Sequence, residues 1–215
     1  MSGVESLYPF LYSGTSDVEA VLAEVCRSTT EKTEEITRLR AEVLELYRDQ
    51  LMECASAMAR SFVAGGQLFT FGNGGSSTDA QAIAELFQNP GPGARPLPAA
   101  ALTTDVAVLS ALANDVSFDV VFARPLAANG RAGDIAVGLS TSGGSANVLR
   151  GFEEATRRGM LTIGLAGYDG GKMAEAGTIE HLFVMPSSSV HRIQEAQTTT
   201  YHVLWELTQL ALSST

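Results

Sequence analysis

Four hydroxyl side chains lie within six consecutive residues in the stretch STSGGS, at positions 140–145. An apolar run precedes the stretch and a helical pattern follows it, so these residues form a turn from a strand into a helix. Backbone N–H groups at the start of a helix, together with nearby hydroxyls, can bind a phosphate ester without a charged side chain. The stretch therefore predicts a phosphate-ester site.

A second glycine-rich turn, GNGGSS, covers positions 72–77. Its three glycines permit positive φ angles and the close approach of a ligand to backbone N–H groups. The turn predicts a cradle for a phosphate or for sugar hydroxyls, with an ordinary strand-to-helix turn as the alternative. It is not the dinucleotide-binding fingerprint, because the third glycine has the wrong offset and no acidic residue ends the next strand.

Short apolar runs that alternate with helical patterns position both turns. We predict strands over 67–72, 98–102, 135–140, 160–167 and 179–185, and helices from about Ser76, over 106–113, 146–159 and 172–176, and over 190–212. This order is typical of the α/β class, here a three-layer, doubly wound, mostly parallel sheet of five strands. Ligands bind beyond the carboxyl ends of such strands, where both glycine turns lie.

The first part of the chain is helical in pattern. Apolar spacing predicts a helix over 16–28, and the capping-box spacing of Ser28 and Glu31 opens a second stretch, one long helix or two abutting ones, to about Val63. We therefore divide the chain into residues 1–63, an N-terminal extension with helices for oligomerisation, and 64–215, the ligand-binding domain.

Charge and composition exclude several classes of partner. Fourteen basic residues against 24 acidic ones give a formal net charge of -10, which argues against binding to nucleic acid or to an anionic membrane. The N-terminus lacks a signal-peptide pattern and no apolar run is long enough to span a bilayer, so we expect a cytoplasmic protein. Cys26 and Cys54 have no metal-ligand spacing and are expected to be reduced and structural.

Five blocks in order make the chain resemble the sugar isomerase (SIS) domain family and, within it, the phosphoheptose isomerase group. They are GNGGSS, ALANDVSFDVVFAR, GDIAVGLSTSGGSANV, GYDGGKMAEAG and HRIQEAQ, and the resemblance covers roughly residues 40–210. It implies the SIS fold, isomerisation of sedoheptulose 7-phosphate to a mannoheptose 7-phosphate, and a homotetramer with sites at subunit boundaries. Many members also use zinc.

The resemblance also implies roles for individual residues. On the last helix, Gln194 and His202 match a glutamine and a histidine that act in metal binding and proton transfer, and two residues eight apart can face one site. The implied substrate-binding set comprises Asn73, Gly74, Gly75, Ser76, Asn114, Asp115 and Gln194, with Ser140, Thr141, Ser142 and Ser145 holding the phosphate.

The chain departs from the family on the helix after GNGGSS. Ala82 and Leu86 stand where the family has a metal-binding histidine and a catalytic glutamate, so we expect no resident cofactor and an incomplete zinc site. Glu85, one residue before the substituted position 86, is our candidate for the missing catalytic group beside His202. One residue turns a helix by about 100°, so the side chain of Glu85 points in a different direction from that of residue 86. Asp115, Glu195 and His191 are further candidates, whereas His181 is expected to be structural.

Two functions follow from these residues. The first is a sugar-phosphate isomerase that resembles sedoheptulose 7-phosphate isomerase and uses His202 with a substitute carboxylate. The alternative is a non-catalytic phosphosugar-binding scaffold or regulator, like the branch of the family that associates with the replication initiator. Both imply a sugar phosphate as ligand and a homotetramer as the assembly.

Overall fold

A computed structural model describes residues 18–213, and its first element is one continuous helix, α1 (Val18–Val63). The helix break expected at residue 28 is absent. The hydroxyls of Thr29 and Thr30 donate hydrogen bonds to the carbonyls one turn earlier, and Glu31 binds Arg27 at 2.5 Å. These contacts support a continuing helix, so the capping-box interpretation is wrong. Residues 16 and 17 of the expected first helix lie outside the described residues.

The chain divides into two compact units, and the boundary falls between Arg38 and Leu39. The second unit contains the sheet and both glycine turns. The expected role of residues 1–63 in oligomerisation stays a prediction.

Five parallel strands form one sheet in the order β2-β1-β3-β4-β5. The strands are β1 (Leu68–Gly72), β2 (Ala99–Ala101), β3 (Ile135–Ser140), β4 (Leu161–Gly167) and β5 (His181–Met185). Every residue of β1 and β3 is buried, as expected of strands covered on both faces. The predicted α/β class is confirmed, and the sheet is wholly parallel.

Six further helices connect and cover the strands of the described chain. They are α2 (Gly75–Gln88), α3 (Val106–Asp115), α4 (Ala123–Asn129), α5 (Ala146–Arg157), α6 (Gly171–Glu175) and α7 (Val190–Ser213). A 3-10 turn at Phe118–Val120 precedes α4. Neither this turn nor α4 was expected from the sequence pattern.

The strand order places both glycine turns at a crevice. From β1 the chain crosses through α2 to β2 on one side, and from β3 it crosses through α5 to β4 on the other. Because such crossovers are right-handed, α2 and α5 lie on opposite faces of the sheet. The order reverses between β1 and β3, and a crevice opens at the carboxyl ends of these two strands.

Aromatic side chains fix α5 against the sheet beneath this crevice. The ring of Phe71 lies 5.4 Å from that of Phe122 and 5.3 Å from that of Phe152. All three side chains are buried, and burying each contributes about 1.5–3 kcal/mol to stability. These buried rings form the packed layer beneath the crevice.

Candidate functional site

A reciprocal amide pair joins the two glycine turns. Asn73 donates to the side chain of Asn147 at 2.8 Å, and Asn147 donates back at 2.9 Å. Asn147 is buried and its oxygen also accepts the N–H of Val148 at 3.0 Å. The pair therefore holds the turns after β1 and β3 in one relative position. Sequence analysis did not single out Asn147.

The turn after β1 enters α2 without a side-chain cap. Gly74 has a φ of 56°, a conformation that favours glycine, and its carbonyl accepts the N–H of Ser77 at 3.0 Å. Gly74 and Gly75 are exposed, whereas Ser76 is buried. The exposed backbone at this turn is open to a ligand, as expected for a cradle.

The turn after β3 surrounds the start of α5 with hydroxyls. The hydroxyl oxygens of Ser140 and Ser145 lie 3.0 Å apart, and the side chain of Ser145 makes no capping bond to α5. Ser142 is exposed and its hydroxyl accepts the N–H of Gly144 at 3.3 Å. An uncapped helix N-terminus beside hydroxyls is suited to an anion such as a phosphate.

A third loop, after β4, fixes the shape of this turn. Gly143 has a φ of 63°, and a Cβ there would overlap the carbonyl of Gly170. The carbonyl of Gly143 accepts the N–H of Met173 at 3.0 Å, and that of Thr141 accepts the N–H of Gly167 at 3.0 Å. Both the φ angle and the packing restrict position 143 to glycine.

Helix α7 packs against α2 at the first glycine turn. A Cβ on Gly75 would overlap the side-chain amide of Gln194, so the missing side chain makes room for that amide. Gln197 and Tyr201 follow Gln194 at helical spacing and lie on the same stripe of α7. The structure thus brings Gln194 to the turn, and its role in binding stays a prediction.

The contact between α2 and α7 includes polar groups that have little access to water. The Oδ2 atom of Asp79 is buried and has no hydrogen-bond partner within residues 18–213, and burial raises the pKa of Asp79 to about 6. Tyr201 is 5% exposed; burial, and then the nearby charge of Asp79, raise its pKa. Gln197 is 0% exposed, and neither polar atom of its amide has a partner in the same range.

The other residues assigned from the resemblance lie on the surface of the chain. His202 is exposed and its ring stacks on that of Tyr201 at 5.1 Å. Asn114 and Asp115 are exposed at the end of α3, where the amide of Asn114 donates to the Asp115 carboxylate at 2.7 Å. No hydrogen bond within the described chain connects these three residues to the glycine turns.

The remaining ionisable candidates already have partners or lie elsewhere. Glu85 is exposed, accepts the amide of Asn89 at 3.0 Å and lines a cavity of about 600 Å³ between α2 and β2. Glu195 forms an ion pair with Arg192 at 2.7 Å. His191 is exposed at the start of α7, and His181 is buried in β5.

The donor atoms of one copy of the chain do not complete a zinc site. Residues 18–213 contain no group of three or more His, Cys, Asp or Glu side chains placed to hold a metal ion. Ala82 and Leu86 have no donor atoms, which leaves Gln194 and His202 short of the usual three or four zinc ligands. Over the same range, no helix has both the length and the apolar composition needed to cross a membrane.

Known proteins are similar to this chain in sequence and in fold. Residues 33–167 match the SIS domain family. The phosphoheptose isomerase of Aquifex aeolicus is 44% identical over 184 residues, covering 83% of this chain and 95% of that protein. That of Desulfovibrio desulfuricans is 45% identical over 174 residues, covering 80% of each.

Two solved structures extend this similarity to the fold. The phosphoheptose isomerase of Neisseria gonorrhoeae has a TM-score of 0.79 and 34% identity, covering 89% of this chain and 100% of that one. That of Francisella tularensis has a TM-score of 0.79 and 29% identity, covering 86% and 98%. The similarity therefore extends over most of the chain.

Proposed function

Because the chain belongs to the SIS domain family, we propose that it binds a sugar phosphate in the crevice and interconverts its ketose and aldose forms. The joined turns carry this proposal, since the Asn73–Asn147 pair sets the glycine cradle beside the hydroxyls and the uncapped start of α5. With a net charge of -10, a phosphate must be held by such local groups. Sedoheptulose 7-phosphate is the first substrate to test, because the relatives are phosphoheptose isomerases.

The phosphate lies at the second turn in this proposal. Ser140, Thr141, Ser142 and Ser145 supply hydroxyls there, and the first residues of α5 supply N–H groups. Asn73, Gly74, Gly75 and Ser76 then face the sugar, with Gln194 against the same turn. Held by its phosphate, the sugar is positioned for proton transfer.

The chemistry requires two proton-transferring groups. Isomerisation moves a proton between adjacent carbons through an enediol while an acid protonates the carbonyl oxygen. His202 is our candidate for the acid, and Glu85 remains the carboxylate predicted from the sequence. No step in this mechanism uses a metal, since the donor set does not fit one.

We further propose that the protein acts as a homotetramer with its sites at subunit boundaries. The apolar helix α3 has no buried residue, and Val106 and Phe118 are 69% and 49% exposed. Asn114, Asp115 and His202 are also exposed. A neighbouring copy that covered α3 would bring such residues into a closed site.

The second candidate function is binding without turnover. Ala82 and Leu86 favour it, because they remove a metal ligand and a catalytic carboxylate that the family resemblance implies. A scaffold or regulator of this kind keeps the two joined turns and the phosphosugar ligand.

Turnover and binding measured together separate the two functions. We expect the full chain to convert sedoheptulose 7-phosphate, and His202→Gln to lower kcat by about 100-fold or more. The same sugar phosphate should raise the Tm of both proteins, because a ligand that binds the native state stabilises it. A Tm shift without turnover in the wild type would support the binding function and overturn the enzymatic one.

A further inference from the structure

We propose that Asp79 is the carboxyl group that transfers the carbon-bound proton in this reaction. This role rests on the proposed isomerase function and identifies a residue that the family resemblance did not mark. Asp79 lies in α2, one helical turn after Gly75 and near Tyr201 of α7.

The position of Asp79 follows from two contacts between α2 and α7. Gly75 meets the amide of Gln194, and Asp79 follows Gly75 by four residues, one turn along the same face of α2. Further along α7, Tyr201 lies close enough for the charge of Asp79 to raise its pKa. Asp79 therefore continues the wall of the cradle toward His202, whose ring stacks on Tyr201.

Asp79 also shares a helix face with the two substituted positions. Ala82 and Leu86 follow it by three and seven residues, so all three lie on one stripe of α2. Glu85 lies about 120° around the helix from Asp79 and, together with Ala82, lines the cavity toward β2. Asp79 thus presents a carboxylate on the face where the departures at positions 82 and 86 removed one.

Hydrogen bonds or an ion pair separate the other carboxylates considered from Asp79. Glu85 accepts from Asn89, Asp115 accepts from Asn114, and Glu195 pairs with Arg192. Partners of this kind occupy oxygen atoms that a general base needs for the proton it removes.

The Oδ2 atom of Asp79 has no such partner in residues 18–213. Burial raises the pKa of Asp79 to about 6, close to the range in which a carboxyl group can both accept and return a proton at neutral pH.

The elements packed around Asp79 add few charges. Strands β1, β2 and β3 contact α2 and carry no ionisable side chain. On α7, Tyr201 is the ionisable group that the charge of Asp79 reaches, and the ring of His202 stacks on it. Helix α1 meets the other end of α2, where the rings of Phe62 and Phe87 lie 5.7 Å apart. The basicity of Asp79 therefore depends mainly on its burial.

The proton transfers balance with His202 as the partner acid. The Asp79 carboxylate takes a proton from C1 of the ketose, the C–H electron pair forms the C1–C2 double bond, and the oxygen on C2 takes a proton from the imidazolium of His202. In the resulting enediol, His202 removes the proton from the C1 hydroxyl and C1 becomes the aldehyde carbon. The double-bond electrons then take the proton held by Asp79 onto C2, which restores both side chains.

Steady-state kinetics and solvent exchange test this role. The full chain, Asp79→Asn and the control Glu153→Gln, an exposed carboxylate on α5, are assayed with sedoheptulose 7-phosphate. Exchange of its C1 protons in D₂O is followed by NMR. We expect Asp79→Asn to lose about 100-fold or more in kcat and in exchange rate, to keep the Tm shift caused by the sugar phosphate, and the control to match the wild type.

Further variants make the test decisive. Asp79→Glu keeps a carboxylate, and we expect its kcat to lie between those of the wild type and Asp79→Asn. Asp79→Ala replaces Asp79→Asn if that variant does not fold. Glu85→Gln is expected to lose less activity than Asp79→Asn, and the reverse order overturns the role of Asp79.

The outcomes also distinguish this role from the isomerase function. An active wild type whose kcat and exchange survive at Asp79→Asn, or at Asp79→Ala where the asparagine variant does not fold, overturns only the role of Asp79. A wild type that binds the sugar phosphate but neither converts it nor exchanges its C1 protons overturns the isomerase function, and this role with it.

Discussion

Asp79 and Gln197 each keep polar atoms away from water without a hydrogen-bond partner among residues 18–213. A buried polar atom without a partner costs about 1–3 kcal/mol of stability. Both residues belong to the contact between α2 and α7, next to the glycine cradle. Unfavourable burial of ionisable groups concentrates at functional sites, where a shifted pKa suits the chemistry.

The pH dependence of stability should report the burial of Asp79. Its pKa in the folded protein is about 6, above the 3.8 of an exposed aspartate. The folded state therefore binds the proton more tightly than the unfolded state. Stability from this group is greatest below about pH 4 and falls as pH rises through about 6.

The asparagine in the Asp79→Asn variant cannot ionise, so the variant does not lose this stability as the pH rises. Thermal unfolding should show the Tm of the variant gaining on that of the wild type between about pH 4 and pH 7. A Tm difference that stays constant over this range would contradict the burial of the charge. Glu153→Gln, which changes an exposed carboxylate, should show no such trend.

At the scale of elements, the turns after β1 and β3 act together through the Asn73–Asn147 pair. Asn147→Ala removes both bonds, leaves the amide of Asn73 without its partner and frees the N–H of Val148. We expect a loss of about 1–3 kcal/mol in the free energy of unfolding and a weaker Tm shift with sugar phosphate. Chemical denaturation measures the first and thermal unfolding the second.

Asn129→Ala is the matched control, because that exposed amide donates to the carbonyl of Pro125 at 3.0 Å and touches neither turn. It should leave the ligand-induced Tm shift intact. A shift equally strong in Asn147→Ala would contradict the joining of the turns.

The sequence predicted the strands well because their information is local. Continuous apolar runs that end at glycine turns gave bounds within two residues of the observed strands. Local sequence patterns failed where the same side chains are compatible with two different local structures. The hydroxyls of Thr29 and Thr30 bond back along α1, and α4 is a seven-residue helix with a proline in it.

The same holds for the candidate site, where only the locally encoded parts could be predicted from the sequence. Both turns are contiguous in sequence and were recognised there. Asn147 and Asp79 depend on partners far along the chain, since Asn73 and Asn147 are 74 residues apart and Asp79 meets Tyr201 on the last helix. The spacing of residues within one segment does not predict such contacts. They form only when the fold brings distant segments of the chain together.

At the scale of the whole molecule, α3 presents apolar side chains to the solvent in the second unit. Monomeric proteins seldom expose a continuous apolar patch of large size, and α3 has no buried residue. A boundary between copies of the chain would bury it and would close the site at Asn114, Asp115 and His202.

A charge on this surface should prevent assembly. We expect Val106→Asp to dissociate the proposed tetramer, because burying an unpaired carboxylate in an interface is costly, and to lower turnover by leaving the sites open. Val106→Thr keeps the size of the side chain without the charge and should stay assembled. Native mass spectrometry checks the subunit number, and a wild type that is monomeric would contradict the assembly.

The reciprocal amide pair also couples two positions in evolution. Each of Asn73 and Asn147 donates to and accepts from the other. An aspartate at one position would place a carboxylate oxygen against the amide oxygen of the other residue, and neither of these atoms can donate a hydrogen bond. Lineages that replace one of these asparagines should replace the other in step. If one of these turns is replaced by that of a relative with a different residue at the paired position, the other turn must be replaced as well. Otherwise the two side chains no longer match in their donors and acceptors.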